Sequence, residues 1–286
     1  MRTRQFLALG ILLFIATAVA PAISQTVAPP AVQAPQPQAP VQPQAPVPGP
    51  TPQGTATSEP DPSRIPAITV TASALEASAA WRWEHDSDTK GWSTGQSNFP
   101  IYPDGPKGLP GRQFVASYGD NGGQRYHLTF GRDVDATHFI YEANVYLVDP
   151  SQIANVEMDM NQVMADGRTV IFGTQCSAHS KTWEYTYVNS TGTHWHPSNI
   201  HCNPHDWGAK KWHKVQIAFH RDADGNVTYD WIGFDGAYTN FQGGAVLSAQ
   251  SLHWTRGDLL LNFQIDGAHK TGIMDAYLNN LAVYRW

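Results

Sequence analysis

Basic charge is scarce in this sequence. Its 286 residues hold 18 Lys and Arg against 24 Asp and Glu, a formal net charge of −6, and no basic block follows the first few residues. Nothing here supplies the electrostatic footprint that nucleic acid or an acidic membrane surface requires. Cysteine is nearly absent, with two in all, so there is no cysteine-rich scaffold or zinc-ribbon framework. No apolar run after the first residues is long enough to span a membrane. Helical periodicity is missing too: one short stretch, Ala72 to Ala80, reads as either a helix or the frayed end of the segment before it. No repeat occurs at solenoid or propeller spacing.

What is present falls into three zones. Arg2 and Arg4 precede an apolar run from Phe6 to Ala20, and Ala22-Ile23-Ser24 offers small residues where a signal peptidase reads. Basic, apolar, small is the order of a secretory signal peptide, here residues 1–24, with an uncleaved anchor as the alternative. No Cys lies near the cleavage region, so a cysteine-linked lipid anchor is excluded. Residues 25–66 are Pro, Gln and Ala-rich, as in Pro35-Gln36-Pro37-Gln38-Ala39-Pro40. Such a sequence has little to bury and reads as a disordered, extended spacer. All Trp residues lie at or beyond Trp81, and residues 67–286 form one folded domain of a size that all-β folds reach. The chain is thus expected to be secreted, ending in the extracellular space, the periplasm or on the cell surface. In an oxidising compartment Cys176 and Cys202 pair by default; closing a loop of about 25 residues is worth ~3 kcal/mol on the chain-entropy estimate. A thiol nucleophile or metal ligand is the other role open to them.

The period along the domain is two. Val156, Met158 and Met160 alternate with Glu157, Asp159 and Asn161. Leu259, Leu261, Phe263 and Ile265 alternate with Leu260, Asn262, Gln264 and Asp266, and Val215, Ile217 and Phe219 alternate with Lys214, Gln216 and Ala218. These are strands with one buried face. Turn residues separate them, as at Asp120-Asn121-Gly122-Gly123 and Asp235-Gly236. Ten or more such strands predict an all-β sandwich or barrel.

The run Glu157-Met158-Asp159-Met160-Asn161-Gln162 resembles the catalytic strand of the concanavalin A-like lectin/glucanase superfamily. That strand carries Glu-x-Asp-x-x-Glu or Glu-x-Asp-x-Glu in its retaining hydrolases, with the last Glu as acid/base. Residues at i and i+2 share a strand face, whereas i+5 reaches it only through a bulge. In the longer alignment the acid/base position holds Gln162, which transfers no proton at neutral pH, while retaining hydrolysis needs two carboxyl groups ~5 Å apart. A broader string of blocks is similar to a family of bacterial secreted domains without an assigned activity. It includes Ile171 to Cys176, Trp183-Glu184-Tyr185, Trp212-His213, Phe263 to Gly267 and the terminal strand to Trp286. The resemblance implies a concanavalin A-like jelly-roll sandwich of two antiparallel sheets. It also implies a polysaccharide or cell-surface glycan as partner, and Glu157, Asp159, Asn161 and Gln162 as sugar-binding residues without a catalytic set.

Other candidates keep two readings. Trp183, Tyr185 and Tyr187 recur every second residue and face either a sugar groove, as stacking platforms, or the core. Gln175, Gln264 and Asp266 face that groove or solvent. His194, His196, His201 and His205, in a stretch with Pro197 and Pro204, read as a long loop, a lid carrying Trp195 and Trp207, or less readily a metal site. Asp222-Ala223-Asp224-Gly225-Asn226 reads as a hairpin turn or as ligands for a structural Ca²⁺, which no motif supports; no other cofactor is implied. Three functions remain: a non-catalytic carbohydrate-binding domain, a hydrolase or lyase of the same fold, and a structural or adhesive domain with no sugar ligand.

Overall fold

The computed structural model describes residues 69–101 and 110–286. The signal peptide and spacer read from the sequence lie outside the described residues. Strands dominate: β1 (Val70–Ala72), β2 (Arg82–Asp86), β3 (Trp92–Ile101), β4 (Gly111–Gly119), β5 (Gly123–Arg132), β6 (His138–Leu147), β7 (Ile153–Val163), β8 (Thr169–Phe172) and β9 (Thr174–Ser177). They continue as β10 (Thr182–Asn189), β11 (Gly192–His201), β12 (Trp212–Arg221), β13 (Asn226–Phe234), β14 (Ala237–Asn240), β15 (Val246–Leu247), β16 (Ala249–Gln250), β17 (Asp258–Gly267) and β18 (Thr271–Arg285). All pairings are antiparallel, in two sheets. The back sheet runs β14-β13-β12-β6-β18-β4-β3, with β1 on β18 and β15 on β13. The front sheet runs β11-β10-β9-β7-β17-β5-β2, with β8 bridging β7 and β16. This is the two-sheet sandwich that the resemblance implies.

The alternating pattern builds the core between the sheets. Val156, Met158 and Met160 of β7 meet Leu259, Leu261, Phe263 and Ile265 of β17, and Val215, Ile217 and Phe219 of β12 face them; every one is at most 1 % exposed. Phe114, Tyr126 and Phe263 stack edge-on or tilted at 4.8 and 5.0 Å. Turn chemistry fixes the hairpins. Asp120 and Asn121 take φ of 52° and 62° between β4 and β5, closed by Gly122 N–H to the Gly119 carbonyl, the two-residue geometry that matches strand twist. Asp235 and Gly236 do the same between β13 and β14.

Some sequence readings change. Ala72 to Ala80 is neither a helix nor a frayed end. It holds the end of β1 and one 3₁₀ turn, Leu75–Ala77, whose Glu76 carboxylate accepts the N–H groups of Asn280 and Leu281 at a bulge in β18. The histidine-rich stretch is not one long loop. Residues 192–201 are strand β11 at the sheet edge, where Pro197 costs no ladder bond, and only the segment around Pro204–Asp206 is a loop. Cys176 and Cys202 form the expected disulfide, tying β9 to the residue after β11. Asp222 accepts N–H bonds from Asp224 and Asn226 within its own hairpin, so the turn satisfies its carboxylate. Among the described residues no group of His, Cys, Asp and Glu is arranged to hold a metal ion, and no helix is long and apolar enough to cross a membrane.

Candidate functional site

The outward face of the front sheet carries the acidic strand. β7 pairs with β17 without a register slip from Asn155 to Gln162, so its side chains alternate strictly over that run. Asn155, Glu157, Asp159 and Asn161 point outward while Val156, Met158, Met160 and Gln162 point inward. Cross-strand pairing then assembles rows that the linear sequence keeps apart. Glu84 of β2, Arg125 of β5, Gln264 of β17, Glu157 of β7, Gln175 of β9 and Glu184 of β10 follow one another across the sheet. A second row holds Asp86, Gly123, Asp266, Asn155 and Ser177. Gly123 allows this approach, because a Cβ there would strike the Asp266 carboxylate and the Thr89 methyl.

These rows floor a groove of about 730 Å³. Ser87, Asp88 and Thr89 bound it along one stretch; Trp195, Trp254, Leu252 and Gln250 bound it along another. A further cavity of about 400 Å³ shares Arg125, Asn262 and Trp254 with it and adds Glu84, His127 and Asp258. Trp195 and Trp254 are 36 % and 41 % exposed, so their rings are available at the wall.

The floor is tightly bonded. Arg125 pairs with Asp86, lies 3.8 Å from Glu84 and donates through Nε to Gln264 Oε1 at 3.3 Å. Gln264 Nε2 donates to Asp86 Oδ2 at 3.2 Å and Asp266 Oδ1 at 3.1 Å, and Asn155 Nδ2 donates to Asp266 Oδ2 at 3.0 Å. Thr174 N–H donates to Asp159 Oδ1 at 2.9 Å, and Gln175 donates to Glu184. Glu157 is 8 % exposed and Asp159 4 %. Burial and the neighbouring charge of Asp159 hold the Glu157 carboxyl well above the ordinary range. Burial also raises Asp159, against the bonds it accepts from Glu157 and Thr174. Burial pushes Asp266 up to about 6, although Asn155 and Gln264 donate to it.

Of the residues read from the sequence, the fold brings together Glu157, Asp159, Asn161, Gln175, Gln264 and Asp266 around one groove. Three are corrected. Gln162 is fully buried on the opposite face of β7, accepting Arg221 Nε at 2.5 Å and donating to the Ala136 carbonyl at 2.9 Å. Without a bulge between Glu157 and Gln162 a fifth-following residue cannot reach the groove. Trp183 and Tyr185 face the core, 1 % and 9 % exposed; β10 presents Glu184 and Thr186 outward instead. Trp207 is also core, against Trp183 and Phe234, and is no lid residue. Sequence reasoning missed Asp86, Arg125 and Trp254. Arg125 had a signal, since it alternates with the buried Gln124 and Tyr126 along β5.

No protein-family model and no curated protein matches the sequence. Solved structures similar to it include an endo-1,3-β-glucanase from Streptomyces sioyaensis, at a TM-score of 0.33 and 8 % identity, covering 72 % of this chain and 97 % of that one. A Bacteroides ovatus mixed-linkage glucan GH16 protein in complex with its product scores 0.37 at 10 % identity, covering 72 % and 94 %. The lectin UEA-II complexed with galactose scores 0.33 at 8 % identity, covering 77 % and 98 %. These are concanavalin A-like lectin and glucanase folds. At such scores they bear on neither the ligand nor the chemistry of this chain.

Proposed function

We propose that this is an exported glycan-binding domain whose groove on the front sheet holds a saccharide without cleaving it by the retaining route. The observation that carries the reading is the unbroken register of β7 from Asn155 to Gln162. On a straight strand the third outward position after Glu157 and Asp159 is Asn161, which has no carboxyl to act as acid/base. The rest of the floor suits hydroxyl recognition: fixed carboxylate and amide groups below, with Trp195 and Trp254 able to stack on a sugar ring. A second reading, hydrolysis, is favoured by Asp266, whose raised carboxyl is a proton donor close to neutral pH.

A glycan-array screen of the secreted chain, followed by calorimetry and a product assay on each hit, tests both. The binding reading predicts a saturable hit that Glu157→Gln weakens about tenfold or more, since a hydrogen bond to a charged group contributes ~1.5–3 kcal/mol, with no product formed. Turnover by the wild type that Asp266→Asn or Glu157→Gln abolishes would replace it with the hydrolytic one. A hit unaffected by either variant would place the binding site elsewhere.

A further inference from the structure

The groove has an imbalance between hydrogen-bond donors and acceptors. Its floor and walls include five carboxyls, Asp86, Asp88, Glu157, Asp159 and Asp266, and one cation, Arg125. Arg125 is already engaged by Asp86 and Gln264. Three of the side-chain amides that line it spend donors within the floor: Gln264 on Asp86 and Asp266, Asn155 on Asp266, Gln175 on Glu184. Among the buried side-chain atoms of the groove, those left without a partner are acceptors. Asn161, 1 % exposed on the groove floor, has a buried Oδ1 with no hydrogen-bond partner, and so does Asn155. Leaving such an atom without a donor costs ~1–3 kcal/mol, so a ligand that donates to it regains that amount.

From this we infer that the ligand of the groove is a saccharide bearing free amines, a glucosamine-type oligomer, and not an N-acetylated, neutral or uronic-acid chain. The inference rests on the glycan-binding reading above. An ammonium offers three donors and a positive charge, matching the spare amide oxygens and the uncompensated carboxyls together. An N-acetyl group removes that charge and the ammonium's three donors together. A uronate adds a carboxylate beside Glu157, Asp159 and Asp266, where like charges repel. The raised carboxyls of Glu157 and Asp266 accord with this, because a cation seated beside them favours their ionised form.

Calorimetry of the full secreted chain against oligomers of equal length tests the inference near neutral pH, where Asp266, raised to about 6, is ionised and part of the sugar amine is still charged. The probes are a glucosamine oligomer, its fully N-acetylated form, a neutral glucan and an oligouronate. The expected order places the glucosamine oligomer at least tenfold tighter than the N-acetylated and neutral oligomers, with the oligouronate weakest. Glu157→Gln should cut glucosamine binding at least tenfold and neutral-oligomer binding by less. Asp224→Asn, in an exposed hairpin, controls for general attraction to a chain of net charge −6. If it weakens binding as much as Glu157→Gln, or if the N-acetylated oligomer or the uronate binds as tightly as the amine, the inference fails. A neutral glucan that binds best and is lost on Glu157→Gln sinks the amine preference and keeps the glycan-binding reading. No binding by any oligomer sinks both.

Discussion

The two outward faces of this sandwich are built from the same residue types and treat them differently. On the back sheet and at its border several carboxylates have partners of their own. Asp230 takes both oxygens to His220 Nδ1 at 3.0 Å, Asp133 meets Arg285 at 2.9 Å, Asp275 accepts from Gln113 at 3.0 Å, and Glu142 lies 3.4 Å from Lys214. Aromatic rings cover what lies between, with Trp286, His138 and His220 stacked at 5.4 and 5.0 Å. On the front sheet Asp86, Glu157, Asp159 and Asp266 crowd around one Arg125, deeper from water, with amide oxygens left over. A face that only needed to be soluble has no reason to bury charge it cannot pair. The contrast shows that buried, raised carboxyls collect on the front face, which supports reading that face as the binding site.

Substitutions sharpen or break that contrast. The largest effect belongs to the core side of the front sheet. Trp183→Ala should cost ~3–5 kcal/mol in denaturant unfolding; a variant of unchanged stability would return that ring to the groove. Next comes Arg125→Met, which leaves Asp86 buried without its cation. Breaking such a pair costs ~3–5 kcal/mol when it is fully buried. Because the arginine side chain is 30 % exposed, about 2 kcal/mol at neutral pH is the discounted expectation. The deficit should narrow at pH 4, as the remaining carboxyls gain protons.

The third effect has the opposite sign. Carboxyls raised in the folded state bind protons more firmly there than in the unfolded chain. Stability therefore falls as pH rises from the unfolded value, ~4, through the folded one, about 6 for Asp266. Glu157→Gln removes one such penalty, so it should match the wild type near pH 4 and be the more stable of the two at pH 8 while binding glycan less well. A variant less stable than wild type at pH 8 would show that ionised Glu157 supports the fold. Smallest of all, Asp230→Asn on the back sheet should cost ~0.5 kcal/mol, the scale of a solvent-facing ion pair, with glycan binding unchanged. A loss of binding there would end the division of labour between the faces.

Much of this arrangement was legible from the residues. Period-two alternation placed Glu157, Asp159 and Asn161 on one face of a strand and the methionines on the other, and Gln264 and Asp266 likewise. The pairing of Cys176 with Cys202 followed from the oxidising compartment that the leader implied and from there being two cysteines, and the fold joins them. Alternation says which residues share a face but not which face is wet, so Trp183 and Tyr185 needed β9 and β11 beside them to be placed. Gln162 turned on a bulge, and a bulge is a property of the pairing with β17 that no residue of β7 announces. Asp86 and Arg125 reach Gln264 across 178 and 139 positions of chain, a distance over which local pattern is silent.

The short strand β1 gives the molecule a mechanical direction. Val70–Ala72 pair with Val283–Arg285 on the back sheet, Glu76 clamps the next turn to Asn280 and Leu281, and Arg112 holds the carbonyls of Glu76 and Ser78. Tension applied to the chain at Thr69 therefore enters the sheet opposite the groove, through three anchors in series. A load gripped by the front face is resisted by hydrogen-bonded ladders within each sheet and by side-chain packing between them.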